Sequence, residues 1–381
     1  MKELLETAEK PKRAFLAGIR DSNTTQEESG RLTGELLSLA RTLGLEIAGQ
    51  EIVRVRERRA RYGLGSGKAL ELAAKAGELG ADCMVFDMEI SPSQQRNWEK
   101  LAGIPAVDRQ ELIIQIFLSR AKTREAELQA ALAGLNYSLP RLSHKYIDLS
   151  RQRGGRYGTR GSGETRLETD RRYVVSRIRR LEQELEEVRR QRAVQRRKRK
   201  KAEIPVCALV GYTNAGKSSL LNALTGADAF VEDKLFATLD PTSRRLETKG
   251  GRPLILTDTV GFIRRLPHAL VDAFRSTLEE ASGADMLVHV LDISDQEADS
   301  YYSTTMAVLR ELDAGRLPVI IALNKCDRLS PEELEAAAPR YPGSVAVSAK
   351  TGAGLDELRR RICGAFGARQ GPGVCAEAEA R

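Results

Sequence analysis

A lysine and a serine, Lys217 and Ser218, close a loop that begins Gly211-Tyr212-Thr213-Asn214-Ala215-Gly216 and runs on into Ser219. These residue types at this spacing suit phosphate chemistry. Glycines let main-chain N–H groups wrap an oxyanion, the lysine reaches the outer phosphates, and the hydroxyl completes a Mg²⁺ shell. Further along, Asp258-Thr259-Val260-Gly261 offers a carboxylate to hold Mg²⁺ through water and a glycine N–H to sense a γ-phosphate. Asn324-Lys325-Cys326-Asp327 supplies an Asp carboxylate for the N1–H and exocyclic amine of guanine, a donor pair that adenine lacks. There Asn324 can tie its loop to the phosphate loop and touch N7, and the Lys325 stem can cover the base. Ser348-Ala349-Lys350 adds a backbone N–H for guanine O6. Each piece alone also fits a polar turn or a helix cap. All four in this order, each at a strand end, point to a guanine nucleotide.

The elements needed to position these groups are legible around them. Apolar runs at 206–210, 254–257, 318–323 and 345–347 read as buried strands, and 219–224 begins a helix. This order predicts a Ras-like P-loop G domain over 203–367, closed by a helix over 355–366, with 368–381 expected as a flexible tail. Upstream, strands at 13–19, 47–56, 83–87 and 106–108 alternate with helices at 25–43, 69–79 and 91–101. The alternation predicts a small open α/β domain with a mostly parallel sheet over 1–110. Between the two, residues 111–202 turn helical. One stretch runs from Arg109 through Ile113, Phe117 and Leu128 to Leu135. A second sets Leu167, Val174, Ile178, Leu181, Leu185 and Val188 at 3/4 spacing. They are expected to close as an antiparallel, coiled-coil-like hairpin within one chain, so a monomer is expected. The Gly/Arg-rich segment 151–164 lies at its turn.

Charge is unevenly placed in the 381-residue chain. Its net charge is +8, yet residues 151–201 alone hold 19 Lys/Arg against 7 Asp/Glu. Basicity confined to one segment suggests a polyanion surface, with RNA the first candidate. Arg153, Arg156 and Arg160 could pair with phosphates, and Tyr157 could stack on an unpaired base. The nine basic residues from 189 to 201 read as further phosphate contacts, or as a solvated hinge. The loop Tyr62-Gly63-Leu64-Gly65-Ser66-Gly67-Lys68 is too short for a second phosphate loop and reads as a helix entry. The five cysteines form no metal-ligand pair with a histidine, which predicts reduced thiols in the cytoplasm. No stretch has signal-peptide or membrane-span character, so no stable membrane insertion is expected.

The order of the four nucleotide motifs resembles the translation-factor-like P-loop GTPases. Leu235-Phe236-Ala237-Thr238-Leu239-Asp240-Pro241-Thr242 is similar to the first switch of the HflX family of ribosome-associated GTPases. So are the loop around 154–163 with Glu164, and Leu167-Glu168-Thr169-Asp170-Arg171-Arg172. The resemblance implies GTP hydrolysis to GDP and phosphate, with Lys217, Thr238 and Gly261 serving catalysis and Ser218, Thr238 and Asp258 serving the metal. Thr238 is its switch threonine, although the residues alone leave Thr242 as a competitor. It also implies a partner, the large ribosomal subunit and its rRNA, and a role on stalled or vacant ribosomes that includes separating their subunits. Family members often carry an extra C-terminal domain, whereas the end of this sequence reads as a Gly/Ala/Glu tail. Phe262 stands where many Ras-like enzymes carry a water-orienting glutamine, which predicts slow intrinsic hydrolysis that a partner accelerates. Asn214 matches a position that helps bind K⁺ in several related GTPases; bonding the loop backbone is the alternative role. A different class of reading makes the N-terminal half an ATP-dependent RNA remodeller, resting on 63–68 alone. A scaffold whose GTP state regulates a protein or membrane partner ranks last.

Overall fold

The computed structural model describes residues 12–152, 162–201, 204–226, 235–247, 253–265, 281–312 and 314–367. They fall into two compact units, 1–186 and 187–381. The first holds a sheet of β1 (Arg13–Arg20), β2 (Glu46–Arg54), β3 (Cys83–Phe86) and β4 (Ala106–Asp108), in the order β2-β1-β3-β4 and parallel throughout. β1 lies inside and is buried along most of its length, as its apolar run requires. Helices α1 (Gln26–Thr42), α2 (Ser66–Glu78) and α3 (Pro92–Ala102) make the crossovers. Thr25 caps α1, its hydroxyl accepting the Glu28 N–H. Ser91 and Gln94 form a capping box at α3, and Trp98 is buried there with its indole N–H on the Tyr62 carbonyl, 3.0 Å away.

The helical stretch from Arg109 is interrupted. α4 (Arg109–Arg120) ends where Ala121 turns extended, at φ −58° and ψ 122°, and α5 (Arg124–Gln152) starts afresh. The Thr123 hydroxyl accepts the Ala126 N–H and so offers a new helix start, which accounts for the break. α6 (Ser162–Lys201) is the second arm. Helix therefore reaches into both flanks of the Gly/Arg-rich segment, since extending a formed helix fixes one residue for each hydrogen bond gained. Val174, Ile178, Leu181 and Leu185 of the α6 seam are buried, and Arg124 pairs with Glu184. Both partners lie many turns from the connection between the arms, a pairing only antiparallel helices allow. Arg153, Arg156, Tyr157 and Arg160 lie outside the described residues.

Where β4, α3, α4 and α5 meet, two carboxylates are enclosed together. Asp108 accepts the Glu111 N–H, while Glu111 accepts from Tyr137 Oη at 3.2 Å and from Gln95 and Gln115. Arg141 lies on the Tyr137 ring and reaches Asp108 at 3.4 Å. Burial, and then the charge of Asp108, push Glu111 up to about 7; Glu99 adds to this, while Tyr137 and Arg141 oppose it. A carboxyl raised on folding stabilises below its unfolded pKa and loses that contribution as pH rises through the folded value. We therefore expect the urea midpoint of this domain, followed through the single tryptophan, to fall between about pH 4.5 and 7. Glu111→Gln should flatten that fall; an equally steep fall in the variant would refute the assignment.

The second unit carries β5 (Val206–Val210), β6 (Thr242–Leu246), β7 (Leu254–Asp258), β8 (Met286–Asp292), β9 (Val319–Asn324) and β10 (Val345–Ala346). Their order is β10-β9-β8-β5-β7-β6, parallel except for the antiparallel β6–β7 pair. α7 (Lys217–Thr225) and α10 (Leu355–Gly367) cover one face, through Leu220, Leu224, Leu358 and Ile362. α8 (Ala298–Glu311) covers the other, where Leu309 joins Val210, Phe262 and Leu287; α9 (Pro331–Ala337) follows β9. Central β5 thus delivers its loop to the carboxyl edge of the sheet, the usual ligand edge of open α/β folds. No described helix is long and apolar enough to cross a membrane.

Candidate functional site: a nucleotide pocket at the strand ends

The loop after β5 takes the conformation its residues permit. Asn214 and Gly216 adopt left-handed backbone, at φ 62° and 90°. A Cβ at Gly216 would stand 2.3 Å from Asn324 Nδ2, so glycine is what lets the β9 loop close on the phosphate loop. Asn324 is buried there and bridges three segments, donating to the Ala215 carbonyl at 2.9 Å and accepting the Ala349 N–H at 3.1 Å. Lys325, itself at φ 62°, donates to the Asn214 carbonyl at 2.9 Å.

Lys217 is 6% exposed and donates to the Gly211 and Tyr212 carbonyls at 3.3 and 2.9 Å. Desolvation pulls its ammonium down to about 8, against the opposing charge of Asp258. Burial likewise raises Asp258, and its Oδ1 has no hydrogen-bond partner among the described residues. A buried cation beside an under-bonded buried carboxylate is a costly pair by itself. Anionic phosphates and a divalent cation would relieve both.

The oxygens fit that cation. Ser218 Oγ lies 2.6 Å from Asp258 Oδ2 and 2.6 Å from Thr238 Oγ1. Hydroxyl and carboxylate oxygens suit hard Mg²⁺, which also takes phosphate oxygens and water. Thr238 lines the pocket with Phe236, Ala237, Thr213, Asn214, Gly216, Ser219, Thr259 and Gly261. Buried Phe236 and Leu239 anchor the segment on either side of it, and Asp240 follows. Thr242 is elsewhere: it opens β6 opposite Asp258, its hydroxyl 3.5 Å from the Asp240 carbonyl. Geometry thus sets Thr238, rather than Thr242, beside Ser218 Oγ. Thr238→Ala is expected to slow GTP turnover about tenfold, with Thr242→Ala within twofold of wild type, as read by phosphate release.

Thr259 is spent on structure, its hydroxyl donating to the Leu209 carbonyl at 2.7 Å, and Val260 is buried. Phe262 is 1% exposed in the core beneath α8, where its ring cannot orient a water. At the base end, Ser348 Oγ donates to Asp327 Oδ1 at 2.6 Å, chiefly holding that carboxyl below its usual range. Cys326 is half-buried between Lys325 and Asp327, and Lys350 is exposed beyond Ala349. The Ala349 N–H, one of the donors expected for guanine O6, is engaged by Asn324.

One participant has no signature in the sequence motifs. Asp292, at the end of β8, pairs with Lys325 Nζ at 2.7 Å and so orients the lysine stem beside the expected base plane. A carboxylate closing a parallel strand was its only linear signal. Near 63–68, the second Gly-Lys loop opens α2, and Lys68 is bound by Glu51 at 3.2 Å and Glu71 at 2.6 Å. A lysine held by two carboxylates is poorly set to take a phosphate.

The chain is similar to known proteins along most of its length. Residues 31–118, 120–199 and 206–325 match families described as GTP-binding GTPase N-terminal, GTP-binding GTPase Middle Region and 50S ribosome-binding GTPase. A protein named GTPase HflX from Akkermansia muciniphila is 47% identical over 371 residues, covering 94% of this chain and 85% of its own. Another of that name, from Escherichia coli K12, is 43% identical over 337 residues, with 88% and 79% covered. A crystal structure described as SsGBP in complex with GDP superposes with a TM-score of 0.52 at 25% identity, over 94% of this chain and 99% of that one.

Proposed function

We propose, from the premise that this chain belongs to the HflX family of GTPases, that GTP licenses it to grip the large ribosomal subunit and that hydrolysis releases it. GTP binding and hydrolysis to GDP and phosphate come with the family. The ribosomal part is carried by the match of residues 206–325 to GTPases described as binding the 50S subunit. The local excess of basic residues over 151–201 supports an rRNA contact. Its physiological setting would be the cytoplasm, acting as a monomer on stalled or vacant ribosomes and separating their subunits.

In this reading Lys217 binds the phosphates and Thr238 and Gly261 respond to the γ-phosphate. Asn324 and Asp327 read the base, with Lys325 across it. Bound Mg²⁺ would be held by Ser218, Thr238 and Asp258, and would neutralise charge on the transferring phosphoryl group. Since Phe262 supplies no group to orient the water, turnover by the isolated protein is expected to be slow and to rise with ribosomes. The test is sedimentation with ribosomal subunits in a GTP analogue, in GDP and without nucleotide. Retention with the large subunit in the analogue alone supports the proposal; equal retention in all three, or none, overturns it.

Asn214 is exposed and its carbonyl already accepts from Lys325. Its side chain would serve K⁺ if turnover rose in K⁺ over Na⁺ salts and Asn214→Ala abolished the difference.

A further inference from the structure

We propose that Arg264 is a positioning residue for γ-phosphate recognition: held by α8 and Tyr212, it fixes the Gly261–Phe262 peptide against the phosphate loop. Arg264 follows the γ-phosphate-sensing loop and is not among the described residues lining the nucleotide pocket. Its guanidinium reaches back to α8, with Nη2 2.6 Å from Glu297 Oε2 and 2.6 Å from Ser300 Oγ. The charged groups are only 14% and 13% exposed, so this is not a solvated surface pair. The guanidinium also lies 5.2 Å from the Tyr301 ring, which stacks on Tyr212 at 4.0 Å and 18°.

Tyr212 belongs to the phosphate loop itself, and its hydroxyl accepts the Arg264 N–H at 2.9 Å. Between these anchors the two loops are joined through the main chain. Phe262 N–H donates to the Gly211 carbonyl at 3.1 Å, and Thr213 N–H to the Phe262 carbonyl at 2.8 Å. Gly261 is thereby set so close to Lys217 that a Cβ there would stand 2.9 Å from Nζ. With the Phe262 ring buried below, side-chain locks on α8 and Tyr212 fix where the Gly261 N–H sits. GDP has no group there to read, so the clasp should matter for GTP and not for GDP.

The inference rests on the nucleotide site described above, and its test uses the full-length protein without ribosomes. It can therefore fail while the ribosomal reading stands. Affinities for GDP and a non-hydrolysable GTP analogue, together with GTP turnover at saturation, are measured for Arg264→Ala, Tyr212→Phe and the double variant. Arg264→Ala should lower analogue affinity and turnover about tenfold, with GDP affinity within twofold of wild type. Tyr212→Phe should lower the analogue-to-GDP ratio about threefold. The double variant should lose less than the product of the two, because both act on one peptide. Equal losses for GDP and analogue, an unchanged ratio, or fully multiplying losses would each overturn the proposal. If Arg264→Ala does not fold, the conservative Tyr212→Phe decides by its ratio alone.

Discussion

Asp327→Asn is expected to weaken GTP binding by about 10²- to 10³-fold and to admit xanthosine triphosphate in its place. A carboxylate accepts both N–H donors on the guanine edge, whereas an amide presents one acceptor and one donor and leaves a guanine donor facing another donor. Xanthine carries a carbonyl where guanine has its amine, so the amide's own N–H then finds a partner. Ser348 Oγ, 2.6 Å from Asp327 Oδ1, can still donate to the amide oxygen, so the side chain should keep its direction. Displacement of a fluorescent GDP analogue by GTP and by xanthosine triphosphate measures both halves. If the variant discriminated against xanthosine triphosphate as wild type does, Asp327 would not read the base.

Gly211→Ala should cost the nucleotide-binding unit at least about 3 kcal/mol and remove nucleotide binding with it. Gly211 leaves β5 at φ 151°, and a Cβ there would lie 2.2 Å from the Val290 carbonyl oxygen of neighbouring β8. That atom is backbone in a sheet and cannot turn aside. Gly226 makes the control. It is also left-handed, at φ 67°, yet a Cβ there meets nothing within 4 Å, so Gly226→Ala should cost only about 1 kcal/mol. The readouts separate by domain. Trp98 is the single tryptophan and lies in the first unit, so its urea transition should stay in place. The far-UV transition of the second unit and bound fluorescent GDP should both be lost. A Gly211→Ala protein that binds GDP normally would refute the argument.

Much of the molecule was legible because its signals are local. Unbroken apolar runs marked the strands, and the loops of the nucleotide site announced themselves by residue type at fixed spacing. The break after Arg120 was hidden because the apolar pattern continues across it, while a single threonine hydroxyl offers the restart.

By itself the sequence marked out candidates for the chemistry: a phosphate loop, a carboxylate suited to a metal and an Asp suited to guanine. Each needs only the right residue beside the right strand. Tertiary structure alone decided that Thr238 lies beside Ser218, that Asp292 pairs with Lys325, that Phe262 faces the core, and that Arg264 clasps the start of α8. The reason is distance along the chain. Asn324 meets Ala215 across 109 residues and Lys325 meets Asn214 across 111, so only the folded, mostly parallel sheet, which gathers its loops at one edge, brings such partners within a hydrogen bond.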